Sequence, residues 1–263
     1  DYSKLAKTVY WKGFMSSLDG RVALITGSGS GLGRSHAELL SERGAKIIVQ
    51  DRDREGAEET AASVQANGQD VHIMVGDVRD SQGFAQQAAE AMDKLGLVDI
   101  LVNNAGISSQ RRPFEEVDDD VLAEMFDINV KGAYIAIRAV LPGMKERHHG
   151  RIINTSSIYG MMGADAGSHY SGAKAALIGL TKAWAKEFAP WNILVNAVAP
   201  GYIPTALGDR PGKEELRAQR MKTILLGHEG DPRDISHAVA YFASEEGKYV
   251  TGQVLSPNGG VTI

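Results

Sequence analysis

The sequence predicts an α/β chain of three layers, a doubly wound and mostly parallel sheet between two layers of helices. Three observations predict it. Short apolar, β-branched runs recur along the chain: Val22–Thr26, Ile47–Val49, Val71–Val75, Val98–Val102, Arg151–Thr155 and Ile193–Val198. Such unbroken apolar runs mark strands buried on both faces. Helical patterns separate them, and strand–helix alternation folds into a parallel sheet. A glycine cluster lies between the first run and the first helix, where a doubly wound fold places a phosphate loop.

The chain has 263 residues and a formal net charge of −5, with 43% apolar residues, no cysteine and seven histidines. This is within reach of one large domain. The acidic balance argues against nucleic acid as a partner. The absence of cysteine excludes disulfides and thiolate chemistry. No apolar run approaches the roughly 20 residues that span a bilayer, and no His spacing suggests a metal. A cytoplasmic protein without membrane or metal is the expectation. Residues 1–18 read as an N-terminal arm and residues 19–263 as the domain, undivided by any linker.

In order, strand Val22–Thr26 runs into Gly27-Ser28-Gly29-Ser30-Gly31-Leu32-Gly33, and a helix follows to Gly44. Strand, glycine loop and helix bring backbone N–H groups and a helix N-terminus against a pyrophosphate. The second strand ends at Asp51, 18 residues beyond Gly33. A carboxylate there accepts hydrogen bonds from an adenosine ribose diol and repels a 2′-phosphate, favouring NAD over NADP. Nearby Arg52 and Arg54 work against that preference. Helix 53–66 and strand Val71–Val75 lead to Asp77 and Val78. Asp77 is placed either to reach an adenine amino group or to cap helix 81–95. Strand Val98–Val102 runs into Asn103-Asn104-Ala105-Gly106, and a long helix is expected over 117–145 with Asn129 inside it. Strand Arg151–Thr155 delivers Ser156 and Ser157 at its carboxyl end, and alternation sends Ser156 to the other face. A loop over 158–169 then walls the substrate.

Helix 170–189 carries Tyr170 and Lys174. Residues four apart share a helix face, so both side chains can enter one cleft. A free phenol titrates near 10. An ammonium one turn away is expected to lower that value and ready the phenol to exchange a proton. Ser157, thirteen residues earlier, could hold the same substrate oxygen. Strand Ile193–Val198 leads into Pro200-Gly201, residues 206–229 read as a lid over the substrate, and a helix over 231–244 and a strand over 253–256 complete the order.

The chain resembles the short-chain dehydrogenase/reductase family from about Leu18 onward. The residues that carry the resemblance are TGxxxGxG at Thr26–Gly33, Asp77, NNAG at Asn103–Gly106, Asn129, Ser157, YxxxK at Tyr170–Lys174, and Pro200-Gly201. The resemblance implies a single Rossmann domain with a seven-stranded sheet, and reversible hydride transfer between NAD and a small-molecule alcohol or ketone. It makes Asn129, Ser157, Tyr170 and Lys174 catalytic, with Asn129 at a local helix break linking Lys174 to solvent. It assigns Gly27, Ser30, Gly31, Leu32, Gly33, Asp51, Asp77, Val78, Asn104, Ala105, Gly106, Tyr170, Lys174, Pro200, Gly201, Ile203 and Thr205 to the cofactor, and implies a homotetramer. A polyol, sugar or sugar acid is the expected substrate. The alternatives are 3-oxoacyl carrier-protein reduction and a non-catalytic NAD-binding regulator.

Overall fold

In the computed structural model, described for residues 17–108, 112–204 and 214–263, seven strands form one sheet in the order β3-β2-β1-β4-β5-β6-β7. They are β1 (Val22–Thr26), β2 (Lys46–Asp51), β3 (Val71–Val75), β4 (Ile100–Asn103), β5 (Gly150–Thr155), β6 (Ile193–Val198) and β7 (Val254–Leu255). Every pairing is parallel. The helices are α1 (Gly31–Glu42), α2 (Arg54–Ala66), α3 (Ser81–Leu95), α4 (Asp119–Phe126), α5 (Gly132–Glu146), α6 (Ile158–Met162), α7 (Ser168–Phe188), α8 (Glu214–Met221) and α9 (Pro232–Ala243).

Strand periodicity builds two cores. Val22 and Leu24 point to one face with Leu101 and Ile152, beneath α3, α5 and α7. Ala23 and Ile25 point to the other with Ile47, Val49 and Val102, beneath α1, α2 and α9. Leu18, the last residue of the expected arm, is buried in this second core. The rest of the arm through residue 16 lies outside the described residues, as do residues 205–213 of the expected lid. No described helix is long and apolar enough to cross a membrane.

Three expectations need correction. β4 begins at Ile100 rather than Val98, although the Asp99 backbone already bonds both neighbouring strands, its N–H donating to the Val22 carbonyl and its carbonyl accepting from Arg151 N, each at 2.9 Å. The expected loop after β5 opens with the one-turn helix α6. The helix over 117–145 is not continuous: a π turn, Asp127–Lys131, interrupts it at the local break that the resemblance implies for Asn129. Asn129 causes the interruption locally. Its Nδ2 donates to the Met125 carbonyl at 3.0 Å, the acceptor that an α-helix reserves for the backbone N–H four residues on.

Candidate active site

Strand order reverses between β1 and β4, and the glycine loop after β1 faces Asn104–Gly106 after β4. Open α/β sheets bind ligands at the carboxyl ends of the strands on either side of such a switch. Gly27 has φ +64°, and a Cβ on it would lie 2.7 Å from the Ala105 backbone. A Cβ on Gly33 would collide with the Gly27 carbonyl. Only glycine lets the loop fold back so closely. Asn104 fastens it, donating from Nδ2 to the carbonyls of Thr26 and Gly27, each at 3.0 Å. Ser30 makes no side-chain cap and the first turn of α1 holds no acidic residue. The positive end of the α1 dipole is therefore open to an anion.

Asp51 closes β2. Its carboxylate accepts from Gly29 N at 2.7 Å and Asp53 N at 3.0 Å. Asp77 is not the cap of α3; Asp80 is, accepting from Gly83 N at 3.0 Å. Asp77 is instead gripped by Arg79 at 2.6 Å, which with the Arg79 backbone N–H holds its carboxyl below the usual range.

At the other end, β5 delivers Ser156 and Ser157 onto α7. The expected divergence is not met: β5 has ended at Thr155, and both serines line the cleft and reach α7. Ser156 donates to the Lys174 carbonyl at 2.8 Å, pinning α7 to the sheet. Ser157 faces Tyr170. Lys174 is buried and donates from Nζ to the Thr155 carbonyl at 2.9 Å, and burial lowers its pKa to about 8. The expectation that Lys174 lowers the Tyr170 pKa is not met. Removal from water raises the phenol, the Ser157 hydrogen bond opposes this, and Tyr159 adds to the rise. Lys174 Nζ lies 5.8 Å from the Tyr170 ring centre, aimed at Thr155. Asn129 Nδ2 also reaches the Ile107 carbonyl at 3.1 Å, while its buried Oδ1 has no partner among the described residues. An unpaired buried acceptor is unfavourable, so this atom is poised for a further donor.

One cleft of about 350 Å³ joins the two ends, within the range of cofactor sites. Gly27, Ser30, Gly31, Leu32, Asp51, Asp77, Val78, Asn104, Ala105, Gly106, Ser157, Tyr170, Lys174, Pro200, Gly201 and Ile203 all line it. Gly33 and Asn129 stand behind the wall, and Thr205 lies outside the described residues. The glycine cradle and the open helix end fit a dinucleotide. Sequence reasoning missed Gln50 and Thr155, which also line the cleft. Gln50 donates to the Gly76 carbonyl at 2.7 Å and joins β2 to the turn after β3. An amide between the apolar Ile47–Val49 and the terminal Asp51 was the available signal.

Residues 21–216 match the short chain dehydrogenase family. The 3-oxoacyl-[acyl-carrier-protein] reductase FabG of Vibrio harveyi is 38% identical over 245 residues, 93% of this chain and 98% of that one. FabG of Thermotoga maritima is 35% identical over 246 residues, 94% and 99% of the two chains. Two crystal structures superpose closely. One is described as a short-chain alcohol dehydrogenase from Sinorhizobium meliloti (TM-score 0.88, 35% identity, 93% of this chain and 97% of that one). The other is levodione reductase (TM-score 0.87, 32% identity, 92% and 97%). Fold, cleft and sequence agree, and the chain belongs to the short-chain dehydrogenase family of nicotinamide-dependent oxidoreductases.

Proposed function

We propose that this protein catalyses reversible oxidoreduction between a secondary alcohol and its ketone with NAD, acting on a polyol, sugar or sugar acid. One observation carries the reading: Ser157, Tyr170 and Lys174 meet in the same cleft that begins at the glycine loop. The bound nicotinamide supplies or accepts the hydride. Gly27 to Gly33 would hold the pyrophosphate, Asp51 the adenosine ribose, Asp77 and Val78 the adenine, and Asn104 to Gly106 the middle of the cofactor. Lys174 would hold the nicotinamide ribose, and Pro200, Gly201, Ile203 and Thr205 the carboxamide end.

Tyr170 exchanges its proton with the substrate oxygen, and Ser157 donates a hydrogen bond to that oxygen as charge develops. A phenol raised by burial rests protonated, which suits donation during ketone reduction. During alcohol oxidation it must shed that proton. The Lys174 amine, lowered to about 8, and the unpaired Asn129 Oδ1 are the groups that support its removal. Asp51 supports NAD over NADP, and Arg52 beside it in the cleft wall tempers the preference.

The names of the relatives favour a second reading, reduction of a 3-oxoacyl thioester. Leu122, Phe126 and Tyr134, exposed on α4 and α5, offer an apolar face for self-association, and light scattering tests the homotetramer that the resemblance implies. A panel of sugars, sugar acids, cyclic alcohols and 3-oxoacyl thioesters, each with both dinucleotides, tests the function. Best turnover of a sugar or polyol with NAD supports the first reading, and preference for the thioester selects the second. Tight NAD binding without turnover of any substrate overturns both and leaves a binding protein.

A further inference from the structure

Resting on the proposed oxidoreduction, we infer that Tyr159 and Tyr202 form a subsite for a second oxygen of the substrate, beyond the one held at Tyr170 and Ser157. Tyr159 stands in the first turn of α6, and Ser157 caps that helix by accepting from Tyr159 N at 3.2 Å. Tyr159 is thereby fixed to the same turn as the serine of the active site. Its ring meets Tyr170 edge to face, with centroids 6.5 Å apart and planes at 74°. Its far side meets Tyr202 in the same manner, at 6.3 Å and 62°. Tyr202 lies between Gly201 and Ile203, which both line the cleft. Tyr159 therefore links the Tyr170 ring of the cleft to the Tyr202 ring beside it.

The two outer hydroxyls are poorly matched to each other. Their oxygens are 3.4 Å apart, well beyond the ~2.7–2.8 Å typical of O–H···O bonds. Between two phenols only one proton can serve the shared contact. The other proton is left to donate elsewhere, and Tyr202 also faces Thr223. An oxygen entering beside the pair can accept from the phenols at normal length. Arg220 of α8 sits over the Tyr202 ring, 5.1 Å from its centre. Its charge lies against the ring face and helps hold the ring in place. A site arranged to donate to a substrate oxygen discriminates against the analogue lacking it. The class of substrate it takes is a diol, hydroxyketone or dione.

Matched probes test this: cyclohexanol against cyclohexane-1,2-diol, and butan-2-ol against butane-2,3-diol, each oxidised by wild type, Tyr159→Phe and Tyr202→Phe. Dinucleotide binding by fluorescence verifies that each variant is folded. The expected result is a preference of the wild type for the diols and a fall of about tenfold in the diol-to-monool ratio of kcat/KM in either variant, carried mainly by KM. Parallel losses on both members of a pair, or an unmoved ratio, overturn the subsite and leave the oxidoreductase reading standing. Turnover of none of the four alcohols by the wild type overturns the subsite for this substrate class, and the oxidoreductase reading is then decided by the substrate panel above.

Discussion

The Lys174 ammonium donates to the Thr155 carbonyl, 2.9 Å away at the end of β5, and is buried there with its pKa lowered to about 8. The unfolded chain binds that proton up to about 10.4, so between the two values the unfolded state holds more protons. Stability therefore rises with pH across that window, and below about 8 the full burial cost is present. Lys174→Met is expected to be more stable than wild type at pH 7, by up to about 3 kcal/mol, and the gap should close toward pH 10.5. Urea denaturation of both proteins across that range measures it.

Tyr170→Phe removes the hydroxyl that faces Ser157 and leaves the ring. Turnover is expected to fall at least 100-fold, the usual weight of a positioned acid or base, while dinucleotide affinity stays within a few fold. Turnover near the wild-type level with cofactor still bound would remove Tyr170 from the reaction.

Asp51→Ala removes the carboxylate that accepts from Gly29 and Asp53. The ratio of kcat/KM for NAD over NADP is expected to drop more than tenfold, about 1.4 kcal/mol. Kinetics with both dinucleotides on wild type and variant decide it. A wild-type enzyme that prefers NADP tenfold would refute the role given to Asp51.

His36 is fully buried between α1 and α9, with Nδ1 2.8 Å from the Ser236 hydroxyl. Burial lowers its pKa from 6.5 to about 3. Between those values the unfolded chain takes up a proton that the folded chain refuses, so stability is lost as pH falls through that window. At pH 4.5 the loss is roughly 2–3 kcal/mol. His36→Gln should flatten the acid limb of the stability curve, read from urea midpoints at pH 7 and 4.5.

A buried amide chain joins three elements: Asn103 donates to Asn154 Oδ1 at 2.8 Å, and Asn154 donates to Thr181 Oγ1 at 2.8 Å. Thr181→Val would strand the Asn154 Nδ2, destabilising by about 1–3 kcal/mol. Thermal unfolding measures the loss.

Much of this was legible beforehand. Val22–Thr26, Val71–Val75 and Ile193–Val198 are strands to the residue, because a short run rich in β-branched residues and bounded by polar residues or glycine has few other solutions. Four-residue spacing sufficed to bring Tyr170 and Lys174 to one cleft. The protonation of that pair was not legible, since it follows from burial and from Lys174 turning to Thr155, and both are tertiary. Helix α6 escaped notice for a related reason. Five residues are too few to show a helical period, and the turn is fixed by Ser157 accepting from Tyr159.

The π turn at Asp127–Lys131 also sets a phase. It absorbs one extra residue within a single turn, so α4 and α5 keep a common phase across it. Inserting one further residue would swing everything upstream by about 100° relative to α5. Met125 would leave its place and the amide of Asn129 would lose its anchor, so an insertion here would disarm the protein where many substitutions would pass.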